Sequence, residues 1–191
     1  MHPSEPGFGA ELGVLPSDRS YWVVPGRLLA GVYPGSSDPE RALARTQALV
    51  DVGVRRVVNL TESGEGSHVG TPLTDYEPEL AAAAGKRGVD VTAIRLPIVD
   101  LDIPDRAHMA VILDAVDEGI DRGETVYVHC WGGRGRTGTV VGCWLARHDL
   151  ATGDRALRMI RYLRRTYAKA ETEAPETAAQ KQFVLDWRPG E

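Results

Sequence analysis

Apolar positions along the 191-residue chain change period several times, and each change marks an element. Residues 1 to about 17 mix Gly, Pro, Ser and Glu without a period. That pattern predicts a loose or draped segment over residues 1–20, ahead of a single domain over 21–191. From Tyr21 to Val32 two short apolar stretches flank Pro25-Gly26, as in a hairpin. Asp38 and Pro39 open a helix with Ala42, Leu43, Leu49 and Val50 among its apolar positions, and Gly53 ends it. Arg56 to Leu60 reads as a strand, and a Gly-rich polar loop follows from Thr61 to about Asp75. Glu77 to Lys86 is Ala-rich and helical, stopped by Gly88. Val91 to Leu96 alternates as a second strand and ends at Pro97. After Pro104, the set Met109, Ile112, Leu113, Val116 and Ile120 describes an amphipathic helix that finishes at Gly123. Thr125 to His129 is a third strand, and helical patterns return at 137–148, 154–167 and roughly 176–187.

Strand and helix alternate from residue 38 to 148, which predicts an α/β fold. Its central sheet is largely parallel, of about four to five strands, with helices on both faces. Ligands in such sheets bind beyond the carboxyl ends of the strands. The loops 61–75, 97–105 and 130–136 follow the three strands, so they converge on one edge if the strands are parallel neighbours.

Composition narrows the function. Apolar residues make up 42% and charged residues 26%, as in ordinary globular domains. Lys and Arg number 22 against 27 Asp and Glu, a net charge of -5. General nucleic-acid binding calls for the opposite balance, so an anionic substrate must be held by a local site. No apolar run approaches the ~20 residues that span a bilayer. The opening residues lack the apolar core of a signal peptide. Two cysteines, Cys130 and Cys143, make no disulfide framework and point to a reducing, cytoplasmic home. His2, His68, His108 and His148 show no metal-ligand spacing. Oligomeric state leaves no trace in the sequence.

The run His129-Cys130-Trp131-Gly132-Gly133-Arg134-Gly135-Arg136-Thr137-Gly138 joins a strand to a helix. Glycines at 132, 133 and 135 allow backbone angles that turn successive N–H groups toward one centre. The helix start adds its dipole and further unpaired donors. Such a cradle prefers a tetrahedral oxyanion, and the Arg136 fork can clamp two of its oxygens. Cys130 opens the cradle, where those donors favour thiolate over thiol, placed for in-line attack on a bound phosphate. Gly-Arg-Thr at the helix entry, with no Gly-Lys-Ser/Thr, is not a Walker A motif.

This H-C-x5-R-T run resembles the signature loop of the protein tyrosine phosphatase superfamily, most closely its compact dual-specificity-like and atypical members. The resemblance implies a phosphatase-like catalytic domain working without a cofactor or metal. Cys130 would form a phosphocysteine, Arg136 would bind phosphate and the transition state, and Thr137 would hydrogen-bond the departing thiolate. His129 would orient the loop and tune the thiol. Trp131, Gly132, Gly133, Arg134, Gly135 and Arg136 would line the phosphate.

Phosphate monoester cleavage also requires a proton donor for the leaving oxygen. Pro97-Ile98-Val99-Asp100 resembles the acid loop of dual-specificity phosphatases and names Asp100. Asp102 is the reserve acid, and Asp105 suits a helix first turn. Gln180 in the last helical segment would position water by the same resemblance, although an exposed helix glutamine is the plain reading. Arg134 either adds charge for a second phosphate or an acidic peptide, or is an exposed loop arginine. Cys143 reads as buried packing ahead of a redox partner for Cys130. Arg158, Arg161 and Arg165 read as a solvated outer face.

Phosphotyrosine in proteins, with phosphoserine and phosphothreonine as a dual specificity, leads the expected substrates. Phosphoinositides or inositol phosphates are the chief rivals. A Trp directly after the nucleophile, where lipid-directed relatives tend to carry extra basic residues, leans toward protein substrates. A phosphate-binding module without turnover and a rhodanese-like sulfurtransferase are the alternatives from other classes.

Overall fold

Alternation within single strands divides the core in two. In the central strand Val126 and Val128 face one layer and Tyr127 the other; Leu28 and Ala30 likewise oppose Leu29. Both faces of this sheet are therefore apolar, as a sheet covered on both sides requires. The computed structural model describes residues 13–66 and 71–191. His2, His68 and the first part of the expected N-terminal segment lie outside the described residues.

The elements run β1 (Ser20–Val24), β2 (Leu28–Gly31), α1 (Pro39–Asp51), β3 (Val54–Asn59), α2 (Glu77–Arg87) and β4 (Thr92–Arg95). They continue with α3 (Arg106–Asp121), β5 (Thr125–His129), α4 (Gly135–Arg147), α5 (Asp154–Leu163) and α6 (Ala178–Asp186). The five strands lie in the order β1-β2-β5-β3-β4. β1 and β2 form the expected hairpin, with Gly26 at φ 71° in its turn. β2, β5, β3 and β4 are parallel neighbours. The α/β fold with a mostly parallel sheet is thus the observed one. Leu49 and Val50 of α1 and Leu80 of α2 pack on one face of the sheet, and α3 to α6 cover the other.

Helix boundaries follow their caps. Asp38 Oδ1 accepts the amides of Glu40 and Arg41 and starts α1. Asp105 caps α3 through the His108 amide at 2.7 Å, one position ahead of the first turn in which the sequence placed it. α5 stops at Leu163 and a single 3-10 turn, Arg164–Thr166, replaces the rest of the expected helix. α6 is shorter than expected because Thr177 and Gln180 close a capping box at its start.

Register places the site. Asn59 pairs with both His129 and Arg95, so β3, β4 and β5 end at one level. Their three following loops leave the sheet side by side, as the sequence predicted. Gly31 also pairs with His129, which adds a fourth loop, after β2, to the same edge.

Candidate active site

His129 is the last residue of the fully buried β5, and its side chain is anchored at both nitrogens. Nδ1 lies 3.2 Å from the Cys130 carbonyl and Nε2 2.7 Å from the Tyr76 hydroxyl. A carbonyl only accepts, so Nδ1 carries the hydrogen and Nε2 accepts from Tyr76. Burial, helped by Arg95 and Arg136 against the Cys130 carbonyl, pushes the imidazole down to about 3. His129 is therefore neutral near pH 7, so it orients the loop without contributing charge. Tyr33 stacks edge-on against both His129 and Tyr76.

Beyond His129 the chain turns by tying its carbonyls outward. Trp131 O accepts the Tyr33 amide at 3.1 Å. Gly132 O accepts the Tyr167 hydroxyl at 2.9 Å and Arg19 Nη2 at 3.4 Å. A trans peptide sets its N–H opposite its C=O, so each outward carbonyl turns the next amide inward. The amides of Gly132, Gly133, Arg134, Gly135 and Arg136 have no acceptor among the described residues. That concentration of unpaired donors at a helix N-terminus suits a tetrahedral oxyanion.

Of the three loop glycines only Gly133 needs its freedom. Its φ is 66°, and a Cβ there would meet the Gly31 carbonyl at 2.6 Å. Gly132 has open space around it, and Gly135 lies in α4, where it admits the Gln180 amide. Cys130 is buried, and its amide donates to Thr137 Oγ1 at 2.9 Å. The Thr137 hydroxyl is thus held by the backbone of the cysteine whose sulfur it was expected to serve.

Arg136 is buried against Glu65, which the sequence did not flag. Nη1 and Nη2 donate to the two Glu65 carboxylate oxygens at 2.6 and 2.7 Å. Nη1 also donates to Ile98 O at 3.0 Å. Asp100 Oδ1 sits 2.9 Å from Nη2. Burial opposes the charge, yet Glu65, Cys130 and Asp100 hold the guanidinium above the ordinary arginine value. Nε remains buried with no partner among the described residues. The Nη1 edge of the fork is thus fixed by protein, and the Nε edge is a donor awaiting an acceptor.

The acid candidates separate. Asp100 lies on Arg136, beside Leu101, which adopts φ 64°, a conformation that costs a non-glycine residue about 1 kcal/mol. Asp102 turns its carboxylate back onto the Ile103 amide at 2.8 Å. Gln180 is not an exposed helix residue but is fully buried. Its Oε1 accepts the amides of Glu176 and Thr177, and its Nε2 donates to Asp102 O at 3.1 Å. Arg134 pairs with Glu176 and is neither free nor fully exposed. Cys143 is buried on α4 and, like Cys130, is a free cysteine in the same apolar cluster. Packing is its role, and burial raises its thiol well above the ordinary range.

Cys130, Trp131, Gly132, Arg134, Gly135, Arg136, Asp100, Leu101 and Gln180 line one cavity of about 660 Å³. The family described as Swiss Army Knife protein, DSP-PTPase phosphatase domain (PTP-SAK), matches residues 17–184. The chain belongs to that family. This PTP-SAK domain is 32% identical over 97 residues to the uncharacterised protein MJECL20 of Methanocaldococcus jannaschii, across 51% of this chain and 60% of the relative. The match spans less than two thirds of that relative. Among solved structures, Tk-PTP in its active form aligns with a TM-score of 0.63 and 25% identity, covering 88% of this chain and 95% of the other. PTPMT1 in complex with PI(5)P aligns with a TM-score of 0.61 and 21% identity, covering 85% and 90%. Among the described residues no helix is long and apolar enough to cross a membrane, and no cluster of His, Cys, Asp and Glu could hold a metal ion.

Proposed function

We propose that this domain hydrolyses phosphate monoesters through a phosphocysteine at Cys130. The phosphate sits in the unpaired amides of 132–136, with one oxygen on Arg136 Nε. The Cys130 thiolate attacks phosphorus in line, and the ester oxygen leaves with the Asp100 proton. The same carboxylate then takes a proton from the water that attacks the phosphocysteine, releasing inorganic phosphate and the free thiolate. Thr137, one bond from the cysteine amide, steadies the sulfur as it departs. His129 holds the loop carbonyl, and Gln180 acts through the acid loop, a different task from positioning water.

The observation that carries this reading is the meeting of Cys130, the unpaired amides and Asp100 around one guanidinium. Sulfur transfer from the same cysteine would have no use for a carboxylate on Arg136. Phosphotyrosine in proteins is the substrate class we favour, because Tyr33 and Trp131 supply aromatic walls to the cavity. The PI(5)P complex of PTPMT1 supports phosphoinositides as the second reading.

Cys130→Ser is expected to abolish release of phosphate from an aryl phosphate while leaving circular dichroism and thermal unfolding unchanged. Full activity in that variant removes Cys130 from the reaction. A phosphate-release panel of phosphotyrosine peptides, phosphoserine peptides and phosphoinositides then ranks the substrate classes.

A further inference from the structure

The cavity is much larger than one phosphate requires, and its cations are unevenly neutralised. Arg19, Arg45, Arg134, Arg136 and Lys169 line it, against Asp100 and Glu176, in a chain of net charge -5. Arg136 is paired with Glu65 and Asp100, and Arg134 with Glu176. Arg19 and Lys169 have no carboxylate partner among the described residues.

These two cations are brought together by backbone. The Ala168 amide donates to Asp18 O at 2.7 Å, so Lys169 and Arg19 each follow one half of that bond. Arg19 reaches on to Gly132 O in the loop that opens at Cys130. The segment bearing Lys169 is fixed from below. Arg164 lies over the Tyr167 ring at 4.6 Å and donates to Thr172 O at 2.7 Å, while Thr172 donates its amide and hydroxyl to Lys169 O. Two cations on the lining of one cavity, neither in an ion pair among the described residues, favour an anion between them. Arg45 also lines the cavity, but its guanidinium donates to Gly35 O.

We propose that Arg19 and Lys169 form a second phosphate subsite, so that the preferred substrate carries another phosphate besides the one Cys130 attacks. Two unpaired cations match a phosphate of charge about −1.5 to −2 better than a single carboxylate. The inference deepens the proposed function and rests on that reading for the first phosphate only. The second phosphate comes from a doubly phosphorylated peptide or from a polyphosphorylated small alcohol, and the probes separate these sources.

The test measures Kd on the Cys130→Ser protein, with kcat/KM on the active enzyme beside it. The probes are a phosphotyrosine peptide, the same peptide with a second phosphotyrosine, an inositol monophosphate and an inositol bisphosphate. At least one bis-phosphorylated probe should bind about tenfold more tightly than its singly phosphorylated match. Lys169→Gln should reduce that ratio to near unity, Lys169→Arg should restore it, and Arg19→Gln should lower it as well. Equal affinities within both pairs, or a ratio that survives Lys169→Gln, overturns the subsite. A lysine-dependent ratio in a protein that turns over no phosphate ester keeps the subsite and removes the proposed catalytic function instead.

Discussion

Asp100 and Asp102 stand two residues apart in one loop, yet their surroundings assign them different work. Asp100 meets Nη2 of the phosphate-binding arginine, whereas Asp102 is bonded to the next backbone amide. Asp100→Ala is expected to lower kcat by about 10²-fold or more, the scale of a lost general acid, with little change in KM. Asp102→Ala should change either constant by less than the cost of one turn hydrogen bond. The reverse ranking in steady-state kinetics would relocate the acid. Glu65 is a second test at this scale. It could act mainly by aligning Arg136, or mainly by weakening the anion's attraction to it. The two short bonds at 2.6 and 2.7 Å in parallel fork geometry favour alignment. Glu65→Gln should therefore raise the inhibition constant of inorganic phosphate about tenfold, one charge-assisted bond's worth. Tighter inhibition would mean that charge dominates.

Among the elements, the acid loop is held by helix α6 as much as by its own sequence. Gln180 closes the capping box of α6 with one end of its amide and grips the Asp102 carbonyl with the other. Gly135 leaves the space that lets it do so. Gln180→Ala should free the loop carrying Asp100. The expected result is a kcat drop of about tenfold with KM little changed for an aryl phosphate whose leaving group needs a proton, and a much smaller drop for one that does not. Equal losses on both esters would make Gln180 a packing residue. The sequence pattern missed this contact for a physical reason. Q-K-Q-F-V has no strong apolar period, so burial of Gln180 is a tertiary event joining residues 78 apart. Glu65, 71 residues from Arg136, and Tyr76, 53 from His129, escaped for the same reason. By contrast, the Cys130-to-Arg136 cradle and the Asp38 cap close within a few residues. Local chemistry alone made them legible. The sheet was equally readable, since β3 and β5 are short, largely apolar runs and β4 lies in an alternating one, all separated by helical periods.

For the molecule as a whole, His129 couples the floor of the site to folding. It is neutral and enclosed in the native state, held near 3 chiefly by burial, while an unfolded chain leaves it near 6.5. Between those values the unfolded state binds the extra proton. Stability from this group is then complete above about pH 6.5 and falls as the pH drops toward 3. The slope is at most about 1.4 kcal/mol per pH unit, or about 2 kcal/mol between pH 7 and pH 5. His129→Asn retains a donor for the Cys130 carbonyl but removes the titration. Urea unfolding at pH 7, 6 and 5 should show the wild-type protein losing stability faster than the variant, the two curves converging as the pH falls. A shared site geometry makes a second readout available, because protonation that unfolds the floor must also release Tyr76 and the cysteine loop that His129 aligns. Parallel curves across that range would mean that the folded protein protonates His129 as readily as the unfolded chain does, so that its enclosure carries no linkage to folding.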